Sequence, residues 1–267
     1  MEYYDATKLS AFASCPRKYF WRYVEKIEPI SIPLWKPWGR AIHRGLESLY
    51  TAHDINLAVA AFDTTWAEES LGEEEKGHTG EGGVNLLRAY HGHYFPEPYR
   101  RNTETEIKLM ATLGEGIQYL GYLDLVARSL FDGGLVLLDH KTSARRPSNE
   151  DTHSDPLTGY VWLVKQVREE QPQAFLNYLI NTKVPQFIRQ PLSEGGEEQW
   201  KENVVAQVRA IRGMHSLEDF YQARGSCSYY GKCEFSDLCD APKGQRLKLI
   251  TEHYRPKKGR KDGQETD

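Results

Sequence analysis

Asp124, Asp139 and Lys141 are the residues of this sequence whose types and spacing suit chemistry. Segments 117–131 and 135–142 are rich in β-branched and aromatic residues, and Asp132-Gly133-Gly134 between them is turn material, which predicts a β-hairpin. With Asp132-Gly133 as a two-residue turn, Phe131 pairs with Gly134, and counting outward sets Asp124 opposite Lys141 with Asp139 as a diagonal neighbour. Side chains alternate along a strand, so the three share one face. Val136-Leu137-Leu138 has the profile of a buried strand, where two unpaired carboxylates repel each other and lose hydration at a cost on the order of several kcal/mol each. A divalent cation relieves both penalties. Oxygen ligands favour Mg2+ or Mn2+, and an imidazole such as that of His43 shifts the preference towards Mn2+. Such an ion polarises a phosphoryl oxygen and acidifies a coordinated water, while a lysine beside it orients that water and stabilises developing negative charge. Phosphodiester hydrolysis is the reaction these parts suit. An Asp-x-Lys alone is more often a solvated face or an ordinary ion pair, and it is the hairpin partner that sets this one apart.

The elements that must position these groups follow from the hydrophobic pattern. Residues 7–27 read as helical, with Leu9, Phe12, Phe20 and Tyr23 at helix-like intervals and Pro16 opening a new segment after Cys15. Segment 38–52 is amphipathic, with Ile42, Leu46 and Leu49 as its buried stripe and His43 beside it. Helical spacing returns at 57–69 and 84–94, around EESLGEEEKGHTGEGG, whose charge and glycine content predict an exposed loop. Strands are predicted at 104–112, 117–131 and 135–142, then a helix at 157–169, strands at 173–182 and 186–190, and a long helix at 197–223 ending near Gly225. Strands, helix and strands after a helical lobe predict an α/β (α+β) core with a mixed sheet.

Composition sets the outer bounds. Hydrophobic residues at 39% and charged residues at 27% suffice for a packed core and speak against disorder, and 267 residues allow one large domain or two small ones. No uninterrupted apolar run approaches the roughly 18–20 residues that cross a bilayer, and the opening segment lacks the plan of a signal peptide. The expectation is a cytoplasmic protein of a bacterium or a phage-infected host cell, without a membrane partner. A net charge of −4 neither supports nor excludes a nucleic-acid partner, because the placement of positive charge decides binding. Arg17, Lys18, Tyr19, Trp21, Arg22 and Arg40 could stack bases and hold phosphates, or pack internally instead.

Cysteines are usually reduced or metal-bound in the cytosol. Cys227, Cys233 and Cys239 recur at even intervals and Cys15 lies far upstream. Three close thiolates and one distant one suit a four-sulfur site for zinc or an iron–sulfur cluster, which would tie the chain ends together.

GYLDLV (121–126) followed by LVLLDHKTS (135–143) resembles the G-x-x-D and D-x-K-T signatures of the RecB-like branch of PD-(D/E)XK nucleases, and is similar to bacteriophage and CRISPR-associated members. GRAIHRGLE (39–47) resembles the helix that brings a metal-binding histidine, and Glu106 stands where that branch often has a glutamate one strand earlier. The resemblance implies a restriction-endonuclease-like sheet flanked by helices. It further implies a metal held by His43, Asp124, Asp139 and the backbone carbonyl of His140, with Lys141 as the catalytic lysine and Glu106 and Tyr160 in supporting places. SDPLTGY (154–160) matches the family's Gln-x-x-x-Tyr helix at Tyr160 but carries Pro156 at the glutamine position. Iron–sulfur members share the layout of one cysteine before the core and three after it, which implies a [4Fe-4S] cluster at Cys15, Cys227, Cys233 and Cys239, with Zn2+ as the alternative.

These readings predict one nuclease domain over 1–240, with a helical lobe at about 7–100, a catalytic sheet core at about 101–192 and a C-terminal helix with the cysteines at about 193–240. A basic tail at 241–267 is expected to be disordered. The expected function is a metal-dependent deoxyribonuclease, an exonuclease on single strands or DNA ends in recombination, repair or phage DNA processing, with a helicase or recombination protein as a possible partner. The alternative is a weak or inactive DNA-binding scaffold within such an assembly.

Overall fold

The computed structural model describes residues 2–257 except 98, 100–102, 148–152, 194 and 229–230. In chain order its elements are β1 (Tyr3–Asp5), α1 (Ala6–Ser14), α2 (Pro16–Tyr19) continuing into a π-helical turn (Phe20–Val24), β2 (Ile27–Pro29), α3 (Trp35–Ala52), α4 (Ile55–Ser70) and α5 (Gly80–Tyr94). There follow β3 (Glu104–Gly114), β4 (Ile117–Arg128), β5 (Leu135–Ser143), α6 (Asp155–Arg168), β6 (Gln173–Ile180), β7 (Gln186–Pro191), α7 (Glu197–Arg212), α8 (Ser236–Asp240), α9 (Lys243–His253) and β8 (Tyr254–Pro256).

Two compact units divide the chain. The first, Met1–Tyr3 with Pro33–Glu202, carries a mixed sheet in which β3, β4, β5, β6 and β7 lie side by side. Among these five strands the pairs are antiparallel except β5 with β6, whose parallel pairing needs a crossover, and α6 supplies it. One hydrophobic core of this unit gathers Ile42, Leu46, Leu49 and Tyr50 of α3, Phe62 and Trp66 of α4 and Leu86, Leu87 and Tyr90 of α5 over Leu125, Val136, Leu138 and Leu179 of the sheet. The amphipathic stripe read for the third helix is therefore the one it buries.

The glycine-rich run read as loop material is partly helix. Gly80, Gly82 and Gly83 open α5, whose N-cap Thr79 accepts a hydrogen bond from the Gly82 N–H. A Cβ built on Gly83 would lie 1.9 Å from Phe62 Cζ. The residue is glycine because α4 and α5 cross there with no room for a side chain, not because the chain turns. Gly83→Ala should therefore lower the thermal midpoint by the equivalent of about 1–3 kcal/mol, the usual range for overpacking. An unchanged melting curve would mean that the two helices separate freely.

The second unit, Tyr4–Ile32 with Asn203–Asp267, is assembled from both ends of the chain. Ile27–Pro29 pairs antiparallel with Tyr254–Pro256, and the Tyr254 hydroxyl donates to the Glu234 carbonyl at 2.9 Å. Two expectations fail here. The tail expected to be disordered from residue 241 forms α9 and β8, because Tyr254 buries its ring against Phe235, with centroids 5.6 Å apart; residues 258–267 lie outside the described part. The long helix expected over 197–223 ends at Arg212, where the Gly213 N–H closes on the Arg209 carbonyl, and Asp219 then caps the Ser216 turn. Tyr19 and Trp21, considered as base-stacking residues, are core residues of this unit, and Tyr19 stacks on Phe220. No helix among the described residues is long and apolar enough to cross a membrane.

Candidate metal centre

The β4–β5 pairing runs from Arg128↔Leu135 to Leu125↔Leu138 and stops there. Its register differs by two residues from that implied by a two-residue turn. Ser129 donates to the Gly134 carbonyl, so Leu130–Gly133 forms a four-residue loop, and Asp124 follows on opposite Asp139 rather than Lys141. A shift of two preserves the face of every side chain, so the predicted convergence survives the wrong turn.

Beyond Leu125↔Leu138 the ladder gives way to a side chain. The His140 N–H, which would meet a β4 carbonyl had pairing continued, donates instead to Asp124 Oδ2 at 2.6 Å. Asp124 Oδ1 lies 3.4 Å from His43 Nδ1 on α3. Glu106 joins them from β3. Its neighbours pair in register with Leu125 and Leu123, but Glu106 itself drops out of the ladder with φ +49°. A non-glycine residue in the left-handed region inside a strand is a local strain that its surroundings must hold in place. The result is that one ligand atom each from His43, Glu106 and Asp124 lies within 4.8 Å of the others, the one such group among the described residues.

Asp139 and Lys141 stand beside this group, with Lys141 Nζ 2.6 Å from Asp139 Oδ2. Asp139 is buried and Lys141 half exposed. Burial and the Asp124 charge push the Asp139 carboxyl up against the pull of Lys141. Burial also opposes the Asp124 charge, but His43, His140 and Lys141 outweigh it and hold that carboxyl well below its usual range. His43 is raised, because Asp124 overcomes the desolvation that would lower it. The two aspartates thus titrate in opposite directions. One is a standing anion facing an imidazole; the other is a buried carboxyl whose charge needs more cation than one lysine provides.

The predicted residues fall into three groups. His43, Glu106 and Asp124 come together, and Asp139 and Lys141 adjoin them through the charges just described. Tyr160 on α6 packs over Gly121 of β4. A Cβ on Gly121 would lie 2.9 Å from Tyr160 Cδ1 and 2.5 Å from Leu163 Cδ1, so this glycine admits α6 to the sheet. Pro156 occupies the first turn of α6 behind the N-cap Ser154, where proline costs the helix no hydrogen bond. His140 sets its ring, 6.0 Å from that of His43, in a buried polar network that sequence reasoning missed. His140 Nδ1 lies 2.8 Å from Asn177 Nδ2, and Asn177 donates to the Tyr90 hydroxyl at 2.8 Å. The Tyr50 hydroxyl bonds Tyr90 and Glu97, and Arg189 pairs with Glu97 through both guanidinium arms. The only sequence signals were polar residues inside otherwise apolar segments, Asn177 in QAFLNYLI above all.

The four cysteines all belong to the second unit, Cys15 buried and the others half-buried. Cys15 acts electrostatically on Cys239 and Cys227 on Cys233, and burial pushes the Cys233 and Cys239 thiols up. No group of three or more cysteine sulfurs among the described residues closes within 4.8 Å, the spacing one shared ion requires. A tetrahedral zinc with bonds of about 2.3 Å needs its sulfurs within about 4 Å of one another. The sulfurs as placed do not fit that ion.

Residues 6–240 match the family model described as the PD-(D/E)XK nuclease superfamily. No curated protein matches the sequence. Among solved structures, the "Putative exonuclease" from Eubacterium rectale is 10% identical, covers 80% of this chain and 83% of its own, and superposes with a TM-score of 0.54. At that identity the likeness speaks for a shared α/β fold with a mixed sheet. The structure of SSO0001 is 15% identical over 75% of this chain and 84% of its own, with a TM-score of 0.37.

Proposed function

We propose, from the premise that this chain belongs to the PD-(D/E)XK nuclease superfamily, that it hydrolyses DNA phosphodiester bonds with a divalent cation held by His43, Glu106, Asp124 and Asp139. The observation that carries the reading is the gathering of three ligand atoms within 4.8 Å beside the Asp139–Lys141 pair. The donor set fits the group: carboxylates suit Mg2+ and Mn2+, and an imidazole favours Mn2+. Bound there, the ion would polarise the scissile phosphate and acidify a water.

The protein's own side chains have distinct tasks. Asp124 is kept ionised by His43 and by the His140 N–H, so it is ready to bind cation without first losing a proton. The His140 carbonyl is the remaining proposed ligand. Asp139 orients the Lys141 ammonium, which would donate to the non-bridging oxygen as negative charge develops. Tyr160 takes part through its packing at Gly121.

An exonuclease on single strands or DNA ends is the finer form of the proposal. It is supported by the resemblance of the Asp124 and Asp139–Lys141 motifs to the RecB-like branch and by the description of the Eubacterium rectale neighbour. Digestion of end-labelled single- and double-stranded DNA with Mg2+, Mn2+ or chelator tests it. Metal-dependent shortening from an end is expected. Internal cuts in circular DNA would overturn the exonuclease form, and intact DNA with both metals would overturn the nuclease itself.

A [4Fe-4S] cluster at Cys15, Cys227, Cys233 and Cys239 is proposed separately. It rests on the collection of all four in one unit made from both chain ends, and four irons spread their thiolates more widely than one zinc does. Anaerobically purified protein should be brown and lose its visible absorption in Cys233→Ser. A colourless preparation, with or without zinc, would sink the cluster.

A further inference from the structure

The buried network behind the metal centre meets it at one residue. The His140 N–H holds Asp124 Oδ2 at 2.6 Å on one side of the backbone, and its ring, 3% exposed, reaches Asn177 on the other. Asn177 is 0% exposed, and its orientation is fixed by its neighbours. Arg189 Nε lies 3.3 Å from Asn177 Oδ1, and a guanidinium can only donate, so the amide oxygen must face Arg189 and the NH2 must face His140. The NH2 then donates to His140 Nδ1, which makes Nδ1 the acceptor of a neutral ring protonated at Nε2. Tyr50 stacks on the same ring, with centroids 5.8 Å apart and planes 18° apart. Arg189 is itself immobilised by Glu97 and by the face of Tyr94, 3.7 Å from the ring centroid.

We propose that Asn177 is a positioning residue for the metal centre: by holding the His140 ring it fixes the backbone whose N–H orients Asp124 and whose carbonyl would be a ligand of the cation. Among the described residues β4 no longer pairs with β5 at this point, and β5 is held here from the β6 side, where Asn177 is the register partner of His140. The ring anchors the Cα between the two peptide groups, and a rotation there would swing both. Groups in this position commonly alter metal affinity by about 10–100-fold when removed.

The inference rests on the metal-site reading above, and its test keeps the two apart. Mn2+ binding to the full chain is measured by electron paramagnetic resonance of the free ion, at a temperature where circular dichroism shows each variant folded. Wild type should bind Mn2+, Asn177→Leu should bind it at least about tenfold more weakly, and Tyr50→Phe, which keeps the stacked ring and the Asn177–His140 bond, should stay within about twofold of wild type. Equal affinity in Asn177→Leu and wild type would overturn the positioning role while leaving the centre intact. No binding by wild type would overturn the centre and the inference with it. If Asn177→Leu does not fold, nitrogen-15 spectra of the wild-type His140 ring decide: protonation at Nε2 is expected, and protonation at Nδ1 overturns the proposal.

Discussion

Lys141→Ala should reduce metal-dependent DNA hydrolysis by at least about a hundredfold, the usual cost of removing one donor aimed at developing charge. DNA binding should persist, because one of many cationic groups is lost and the fold does not depend on a half-exposed ammonium. Asp124→Ala should be equally inactive for a different reason. It removes the carboxylate that sits between His43 and the His140 N–H, and with it the centre of the ligand group. The measurement is the rate of degradation of labelled DNA at the lowest Mn2+ concentration that saturates the wild type, with binding followed separately in Ca2+. If either variant cleaves at the wild-type rate, the hydrolytic centre lies elsewhere. The two differ in their response to metal: excess Mn2+ should recover part of the activity lost by a weakened ligand set, and none of that lost with the lysine.

The second large effect concerns stability. Glu97→Ala should cost about 3–5 kcal/mol, since it leaves the Arg189 guanidinium buried without its counter-charge. The Glu97 side chain is only 2% exposed and that of Arg189 16%, so solvent does little to screen the loss. At this chain length the thermal midpoint should fall by roughly ten degrees. A double variant, Glu97→Leu with Arg189→Met, should lose much less, because neither charge is then stranded. A single variant that melts like wild type would mean that the pair is solvated in solution. The two predictions are separable in kind: Lys141→Ala is stable and inactive, whereas Glu97→Ala loses thermal stability.

Why the first site was legible and the second was not follows from how each is wired. Asp124, Asp139 and Lys141 come from adjacent strands of one hairpin, and the alternation of side chains predicts their shared face even when the turn is misjudged by two residues. The buried stripe of α3 set His43 at its border, but it was the resemblance of GRAIHRGLE to the family's histidine-bearing helix that marked it as a ligand. Glu106 is different. Its contribution depends on a left-handed backbone at one position of a strand, which no local pattern announces in a residue other than glycine. Asn177 faces Arg189 across the β6–β7 pair and His140 across β5–β6, but Glu97 reaches them from a segment outside any strand, so that partner is set by tertiary packing. The same holds for Gly83, where composition suggested a loop and a crossing of two helices was the cause.

The division of the second unit between distant stretches of sequence bears on how the molecule is made. A ribosome releases residues 4–32 before the bulk of the first unit, yet their partners, 203 onward, only after it. In between, Phe12, Tyr19, Phe20 and Trp21, all buried once the unit is complete, must travel uncovered on the nascent chain while the catalytic sheet is free to form. Synthesis therefore yields the first unit before the second, and the interval is the period when this polypeptide has most need of a chaperone.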